Sequence, residues 1–425
     1  CEAKRRLMEI YKFGGASVKD ASGVKNVFDI VKEAEGKLVV VISAMGKTTD
    51  MLEKICRSYF SGKDWERDYR ALRSFHENIV RELFGEGPHR AGRRIKEVSD
   101  ALYEDLRGTP SMSYDYEYDR IVSYGERLSS LILYLYMEYR GLRVRWTDIR
   151  KYMLTDDNYR DANVNTEVAG KLCREVFSFE NESVYITQGF IGGTFTGQTT
   201  TLGREGSDYT AALLANFLNA EALTIWKDVP GIMNADPKLH PEARILEKLS
   251  YKEAIELAHF GAKVIHPKTI KPLENKGIPL YVKSFFSPDG SGSLICDITG
   301  DLKYPPIYID KGNQLLLTLT PRDFSFIAEE KLSLIFSVLA KYRLRLNLMQ
   351  NAAISFTFCI DNDISLMDSF MEELRPDFEL LYNTDVRLLT VRHYNEEILS
   401  KLVAGAICLV EQRSRSTARF VLSGT

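Results

Sequence analysis

Paired cysteines, clustered histidines, long apolar runs and a dominant charge are all missing from this sequence. Its six cysteines, Cys1, Cys56, Cys173, Cys296, Cys359 and Cys408, are scattered with no C-x-x-C spacing. That argues against a disulfide framework or a thiolate zinc site and fits reduced thiols in a cytoplasmic protein. Six histidines with no H-E-x-x-H leave no signature of a structural transition metal. A hard cation such as magnesium would leave no such signature. The longest apolar runs, such as Leu38–Met45, fall far short of the ~20 residues needed to cross a bilayer. Lys and Arg number 56 against 59 Asp and Glu, a net charge of -3, so no basic field invites nucleic acid. Neither membrane nor nucleic acid is an expected partner.

What is present is an ordinary globular balance. The 425 residues are 44% hydrophobic and 27% charged, enough for two or three domains at roughly 150 residues each. Up to about residue 300, short Val- and Ile-rich runs alternate with long amphipathic stretches. Met8–Phe13 and Lys37–Ala44 read as buried strands flanking a helix over Asp20–Glu35. The charged, periodic stretch 64–107 reads as an insertion of two helices broken at Gly85–Pro88. A third long helix over Ser123–Tyr139 leads to a strand at Arg143–Asp148. Strands at Val184–Phe190, Ala222–Lys227 and Pro279–Ser284 are separated by helices at Ser207–Asn219, Tyr251–Phe260 and His266–Lys276. This alternation predicts an α/β domain over 1–300, its mostly parallel sheet covered by helices on both faces.

After the turn-rich stretch 287–306 the rhythm changes. Gln314–Thr320, Leu346–Gln350, Ala353–Ile360 and Phe378–Asn383 read as strands, with helices over Phe326–Tyr342 and Ile364–Leu374. The βαββαβ order predicts a ferredoxin-like α+β unit over about 311–383. Val386–Arg392, a helix at Glu396–Val403, Ala406–Gln412 and Thr417–Leu422 read as a second, abbreviated copy over 384–425, completed by 304–310.

Six segments carry candidate chemistry. Lys12-Phe13-Gly14-Gly15-Ala16-Ser17 follows the first strand, where glycines let amides approach an anion and a lysine supplies a point charge. Its spacing matches neither the P-loop nor the G-x-G-x-x-G fingerprint, and any strand-to-helix turn can carry Gly-Gly. Ser43–Asp50 ends the second strand, where ligands of open α/β sheets collect, and Thr48 or Thr49 equally suits a helix cap. Ser123-Tyr124-Gly125-Glu126 reads as a capping box or as a carboxylate for an amino group. Gly203-Arg204-Glu205-Gly206-Ser207-Asp208 opens a helix and suits an anion through its dipole and amides. Lys227–Lys238 is a turn-rich loop of nucleotide size. In Phe260–Pro267, His266 reads as a structural residue at a helix entry, with Pro267 in the first turn.

Taken together and in this order, the segments resemble the aspartate kinases of the amino-acid kinase family. KFGGASV, SAMGKTTD, SYGERLSS, TDDN (Thr155–Asn158), QGFIGG with TTTLGREGSDYTAALLA, KDVPGIMNADPK and FGAKVIHPKT span Lys12 to Thr269. The resemblance implies an amino-acid-kinase fold that transfers the ATP γ-phosphoryl to the side-chain carboxylate of L-aspartate. The product would be 4-phospho-L-aspartate, at the first step of lysine, threonine and methionine biosynthesis. It implies Lys12, Gly14 and Gly15 at the phosphates and Asp208 orienting Lys12. Thr49, Glu126, Arg204 and Ser207 map onto the aspartate pocket, with Arg204 on the α-carboxylate and Glu126 on the α-ammonium. Lys227, Asp228, Met233, Lys238 and Lys263 map onto the nucleotide loop, and Mg2+ would arrive with ATP, held mostly by phosphates and water.

The C-terminal part resembles paired ACT regulatory modules, implying a homodimer joined there and an amino-acid effector, lysine or threonine. Four positions depart from the family pattern. Ala16 replaces a threonine, Glu205 the middle glycine of GRGGSD, Met233 a tyrosine and Lys227 a threonine or serine. Glu205 would either weaken anion binding or point to solvent. Two rival readings stay open: a non-catalytic amino-acid sensor on a decayed kinase, and a kinase acting on glutamate, acetylglutamate or carbamate.

Overall fold

The computed structural model describes residues 7–262, 265–298, 300, 302–323 and 325–424. The chain divides into two units. The first comprises, among the described residues, 7–232, Ile245–Ala258 and 265–298. The second comprises Met233–Arg244, His259–Ala262 and the described residues from 300 onward.

The first unit begins with β1 (Met8–Phe13), α1 (Ala21–Lys32), β2 (Lys37–Ile42) and α2 (Thr48–Phe60). Next come α3 (Glu66–Phe84), ending at Gly85, and α4 (Arg90–Arg107), capped by His89, the two helices expected on either side of Gly85–Pro88. Then follow α5 (Tyr114–Val122), α6 (Tyr124–Tyr139), β3 (Val144–Thr147), β4 (Leu154–Thr155), α7 (Thr166–Val176) and β5 (Val184–Gln188). The remainder is β6 (Ile191–Thr194), β7 (Thr199–Thr201), α8 (Gly206–Leu218), β8 (Ala222–Lys227), β9 (Lys248–Ser250), α9 (Tyr251–Phe260), α10 (Pro267–Glu274), β10 (Leu280–Ser284) and β11 (Ser293–Cys296).

Eight strands form one sheet in the order β3-β5-β2-β1-β8-β10-β11-β9. All its pairings are parallel except β10 with β11. A parallel sheet covered on both faces needs strands without polar alternation. That is why Leu38–Ile42 is buried throughout. Each of its three valines contributes about 1.5–3 kcal/mol on burial. α1, α3 and α6 share one core with Phe13, Val40 and Ile42. α1 starts where Asp20 accepts a bond from the Gly23 amide at 2.8 Å. His266 caps α10 through the Lys268 amide, and Pro267 occupies its first turn.

Several elements escape the sequence reading, among them α7, β9 and β11. The polar-aromatic stretch Tyr114–Val122 forms α5, and β4, β6 and β7 form a separate three-stranded sheet. The capping box at Ser123 is also overturned. Ser123 is helical, closes α5 by donating to the Arg120 carbonyl, and gives α6 no side-chain cap.

The second unit contains β12 (Ile307–Pro321), α11 (Glu329–Lys341), β13 (Leu346–Asn351), β14 (Phe356–Asp361), α12 (Ile364–Leu374), β15 (Phe378–Arg392), α13 (Glu396–Val403), β16 (Ile407–Arg413) and β17 (Thr417–Ser423). One antiparallel sheet runs β13-β14-β12-β15-β17-β16. The βαββαβ order appears as expected, with Leu317, Ile335, Phe358 and Phe370 in its core. The two copies, however, share two 15-residue strands rather than ending separately. The sequence reading divides the copies at about 310/311 and 383/384. Near those points Asn313 and Asp385 take left-handed φ values of 49° and 54°, and pairing resumes past register shifts between Lys311 and Leu316.

Candidate active site

Beyond the C-terminal ends of β1 and β8, beside the first turn of α8, lies a cavity of about 530 Å³. Ligands of open parallel sheets collect at that end of the strands. Lys12, Thr49, Glu126, Arg204, Ser207, Asp208 and Lys227 all line it. Those seven residues come from β1, α2, α6, the start of α8 and β8, so the fold gathers what the sequence scatters.

Lys12 pairs in register with Val41 of β2 and Ile225 of β8, which holds its backbone between two neighbours. Its Nζ lies 2.6 Å from Asp208 Oδ1, with side chains only 10% and 5% exposed. The contact is an ion pair without hydrogen-bond alignment. Gly15 lets the two adjacent loops close together. A Cβ there would stand 2.7 Å from the Ala44 carbonyl oxygen, while the Gly15 carbonyl accepts from the Gly46 amide at 3.0 Å.

Glu126 is buried at the cavity wall. Burial pushes its carboxyl up to about 8, opposed by the Ala44 amide and the charge of Lys12. Oε1 accepts from Ala44 at 3.3 Å, whereas the buried Oε2 has no hydrogen-bond partner. An unpartnered buried acceptor is costly, and a cationic ligand group would satisfy it.

Arg204 is exposed on the cavity rim, and Ser207 and Asp208 sit buried in the first turn of α8. Glu205 does not point away into solvent. It lines the cavity in a left-handed conformation, φ 53°, with a buried, unpartnered Oε2.

Tyr118 and Arg160 also line the cavity and are not singled out by the sequence reading, whereas Ser43, Phe190 and Thr201 fall within its motif segments. Arg160 stacks its guanidinium 4.6 Å from the Tyr118 ring and pairs with Asp115 at 3.1 Å. Asp119 holds this wall together, accepting from the amides of Arg160 and Thr201 and from the Thr201 hydroxyl at 2.6 Å. Burial raises the Asp119 carboxyl to about 6 despite those bonds. Tyr118 and Asp119 belong to the unanticipated α5, and Arg160 lies two residues beyond the TDDN motif, which is the one sequence signal available for it.

Gly14 lies next to the Lys12 side chain, since a Cβ there would be 3.5 Å from Nζ. Gly14, Gly15, Asp228, Met233 and Lys238 do not line the cavity. Asp228 is exposed past β8. Met233 and Lys238 fall in the segment grouped with the second unit, where the Lys238 amide donates to Asp236. Lys263 lies outside the described residues.

The profile of the amino acid kinase family matches residues 8–284. Lysine-sensitive aspartokinase 3 of Escherichia coli (strain K12) is 33% identical over 389 residues, covering 86% of this chain and 82% of that protein. A crystal structure of E. coli aspartokinase III in complex with aspartate and ADP, described as the R-state, superposes with a TM-score of 0.81 at 28% identity. It covers 98% of this chain and 96% of that one. The same enzyme in complex with lysine and aspartate, the T-state, also gives 0.81, at 27% identity, covering 97% of this chain and 95% of that one. Matches of that extent reach well past the motif-bearing stretch Lys12–Thr269 and across both units. The chain belongs to the amino acid kinase family, and within it to the aspartokinases.

Proposed function

We propose that this protein transfers the γ-phosphoryl group of ATP to the side-chain carboxylate of L-aspartate, giving 4-phospho-L-aspartate and ADP. One observation carries the reading. A single cavity holds a guanidinium, Arg204, and a buried carboxylate oxygen without a partner, on Glu126, beside the Lys12–Asp208 pair. The first two match the poles of a free α-amino acid, and the third suits a transferring phosphoryl group.

The acceptor carboxylate has a pKa near 3.9 and is already ionised at neutral pH, so no general base is required. Catalysis then consists of positioning and charge stabilisation. Arg204 forks onto the α-carboxylate, Glu126 takes the α-ammonium, and Thr49 and Ser207 supply hydroxyls. Lys12 stabilises charge on the transferring phosphoryl oxygens, and Asp208 fixes the lysine's direction. Gly14 and Gly15 leave the phosphates room at the end of β1, while Lys227 and Asp228 bind the nucleotide.

Magnesium fits this donor set, because carboxylate oxygens face the cavity and hard cations prefer oxygen. Among the described residues no three His, Cys, Asp or Glu groups converge, so phosphates and water would supply most of its ligands. When bound it neutralises phosphate charge.

The amino-acid kinase domain is assigned to 1–300. The ferredoxin-like pair over 301–425 is read as ACT modules that join two copies of the chain and receive lysine or threonine as effector. The lysine sensitivity of the E. coli relative supports lysine. No helix among the described residues is long and apolar enough to cross a membrane, and a cytoplasmic enzyme of amino-acid biosynthesis fits.

Hydroxylamine trapping of the acyl phosphate tests the reading, with Mg-ATP and L-aspartate, L-glutamate or N-acetyl-L-glutamate in parallel. Hydroxamate from aspartate alone is expected, and its loss on adding lysine or threonine names the effector. No hydroxamate from any acceptor, in folded protein that binds ATP, would turn the assignment to an amino-acid sensor.

A further inference from the structure

We propose that Glu205 is a protein ligand of the divalent cation that accompanies the nucleotide, so that the anion loop contributes a metal-binding carboxylate of its own. This rests on the kinase reading above.

Neither backbone nor capping accounts for a glutamate at this position. Its φ of 53° is a region where a side chain costs about 1–2 kcal/mol and glycine costs little. As the residue preceding α8 it makes no side-chain cap. Its Oε2 is buried and has no hydrogen-bond partner, and no ion pair to it exists among the described residues. Of the four cationic side chains that line the cavity, Lys12 is committed to Asp208 and Arg160 to Asp115 and the Tyr118 ring, Arg204 is exposed on the rim, and neither Arg204 nor Lys227 forms an ion pair with Glu205 among the described residues. A carboxylate left this way is held at a cost unless a cation arrives to meet it.

Two carboxylates of the cavity therefore wait for a partner, Glu126 and Glu205. The substrates bring two kinds of cation, the α-ammonium of the amino acid and the divalent ion on the phosphates. Glu126, 3% exposed on α6, is the partner of the ammonium. Glu205 directly precedes α8 and lies three residues before Asp208, which holds the Lys12 that meets the transferring phosphate oxygens. A cation carried on those oxygens comes to the Glu205 carboxylate. One or two carboxylates completed by phosphates and water is the usual way a protein holds magnesium. It also agrees with there being no larger ligand cluster among the described residues.

Manganese(II) is the probe. The full chain with ADP and L-aspartate is titrated with Mn2+, free Mn2+ is read by electron paramagnetic resonance, and ADP alone is titrated as the reference. Wild type is compared with Glu205→Gln, which keeps the side chain's size, and Glu205→Gly, which also relieves the backbone. Both variants are expected to weaken Mn2+ binding to the ternary complex by on the order of tenfold or more, with metal-free aspartate affinity held or improved. Unchanged Mn2+ binding in both variants overturns the proposal. So does a loss of metal-free aspartate affinity, which would make Glu205 an ammonium contact instead. The hydroxamate assay separates the two levels. Glu205-dependent Mn2+ binding without any hydroxamate removes the acceptor assignment alone, and hydroxamate with Glu205-independent Mn2+ binding removes the metal ligand alone.

Discussion

The Lys12 ammonium and the Asp208 carboxylate meet at 2.6 Å, although one ends a central strand and the other opens a helix far along the chain. Both side chains are nearly buried, so each compensates the other's desolvation and neither is free to wander. Lys12→Ala is expected to lower turnover by roughly 100- to 1,000-fold, the usual effect of removing one donor to a developing charge. It also strands Asp208, at about 3–5 kcal/mol of stability. Asp208→Asn should keep the fold and still lower kcat by releasing the lysine. Steady-state kinetics with thermal unfolding of both variants checks this, and near-normal turnover in Lys12→Ala would remove its assigned role.

Arg204 sits on the rim rather than in the core, so its removal tests recognition with little structural penalty. Arg204→Ala is expected to raise KM for aspartate roughly 10- to 100-fold, as for loss of a charged hydrogen-bonding group, while KM for ATP stays unchanged. A selective rise in the ATP constant would reassign the residue to the nucleotide.

Glu126 makes substrate binding depend on pH. Its carboxyl is raised to about 8 by burial, so in the empty enzyme at pH 7 it is mostly protonated. An ammonium group favours the ionised form, so aspartate binding expels a proton. Affinity is expected to improve with rising pH by up to about tenfold per unit below 8 and then level off. The stability of the empty protein moves the other way. A folded-state pKa above the unfolded value contributes stability at low pH that is lost as pH rises from about 4.5 through about 8. Calorimetry in buffers of different ionisation enthalpy detects the proton. Glu126→Gln should abolish both the proton release and the fall in Tm toward pH 8.

The parts legible in the sequence were those fixed by local pattern. Leu38–Ile42 announces a doubly covered parallel strand because nearly every position is apolar, and Gly85–Pro88 announces the gap between α3 and α4. The gathering of Lys12, Glu126, Arg204 and Asp208 was legible only through the joint order of several motifs. No single one of them distinguishes a ligand site from a turn or a cap. What stayed hidden depends on tertiary partners. Ser123 obeys the capping-box pattern, yet α5 runs into α6 there, so the backbone is helical and the carboxylate of Glu126 turns to the Ala44 amide. Asn313 and Asp385 carry turn chemistry that a long sheet absorbs in left-handed residues. Asp119 gives no sequence signal, since its value lies in the amides of Arg160 and Thr201 that only the fold brings to it.

Gly189 follows β5 and tests how closely the cavity is built. A Cβ on it would lie 2.5 Å from Ser207 Cβ and 2.7 Å from both Ser207 Cα and Oγ. Two of these three atoms belong to the side chain or its root, and the third is backbone at the first turn of α8, so no rotamer change relieves the clash. Gly189→Ala must therefore push the start of α8 outward, taking Ser207 and its neighbour Asp208 with it. Overpacking of this kind typically costs about 1–3 kcal/mol, so the protein should still fold, with a lower Tm. A displaced Ser207 raises KM for aspartate, and a displaced Asp208 releases Lys12 and lowers kcat. A change in stability without loss in either kinetic constant would mean that α8 yields elsewhere, leaving the first turn in register with the cavity.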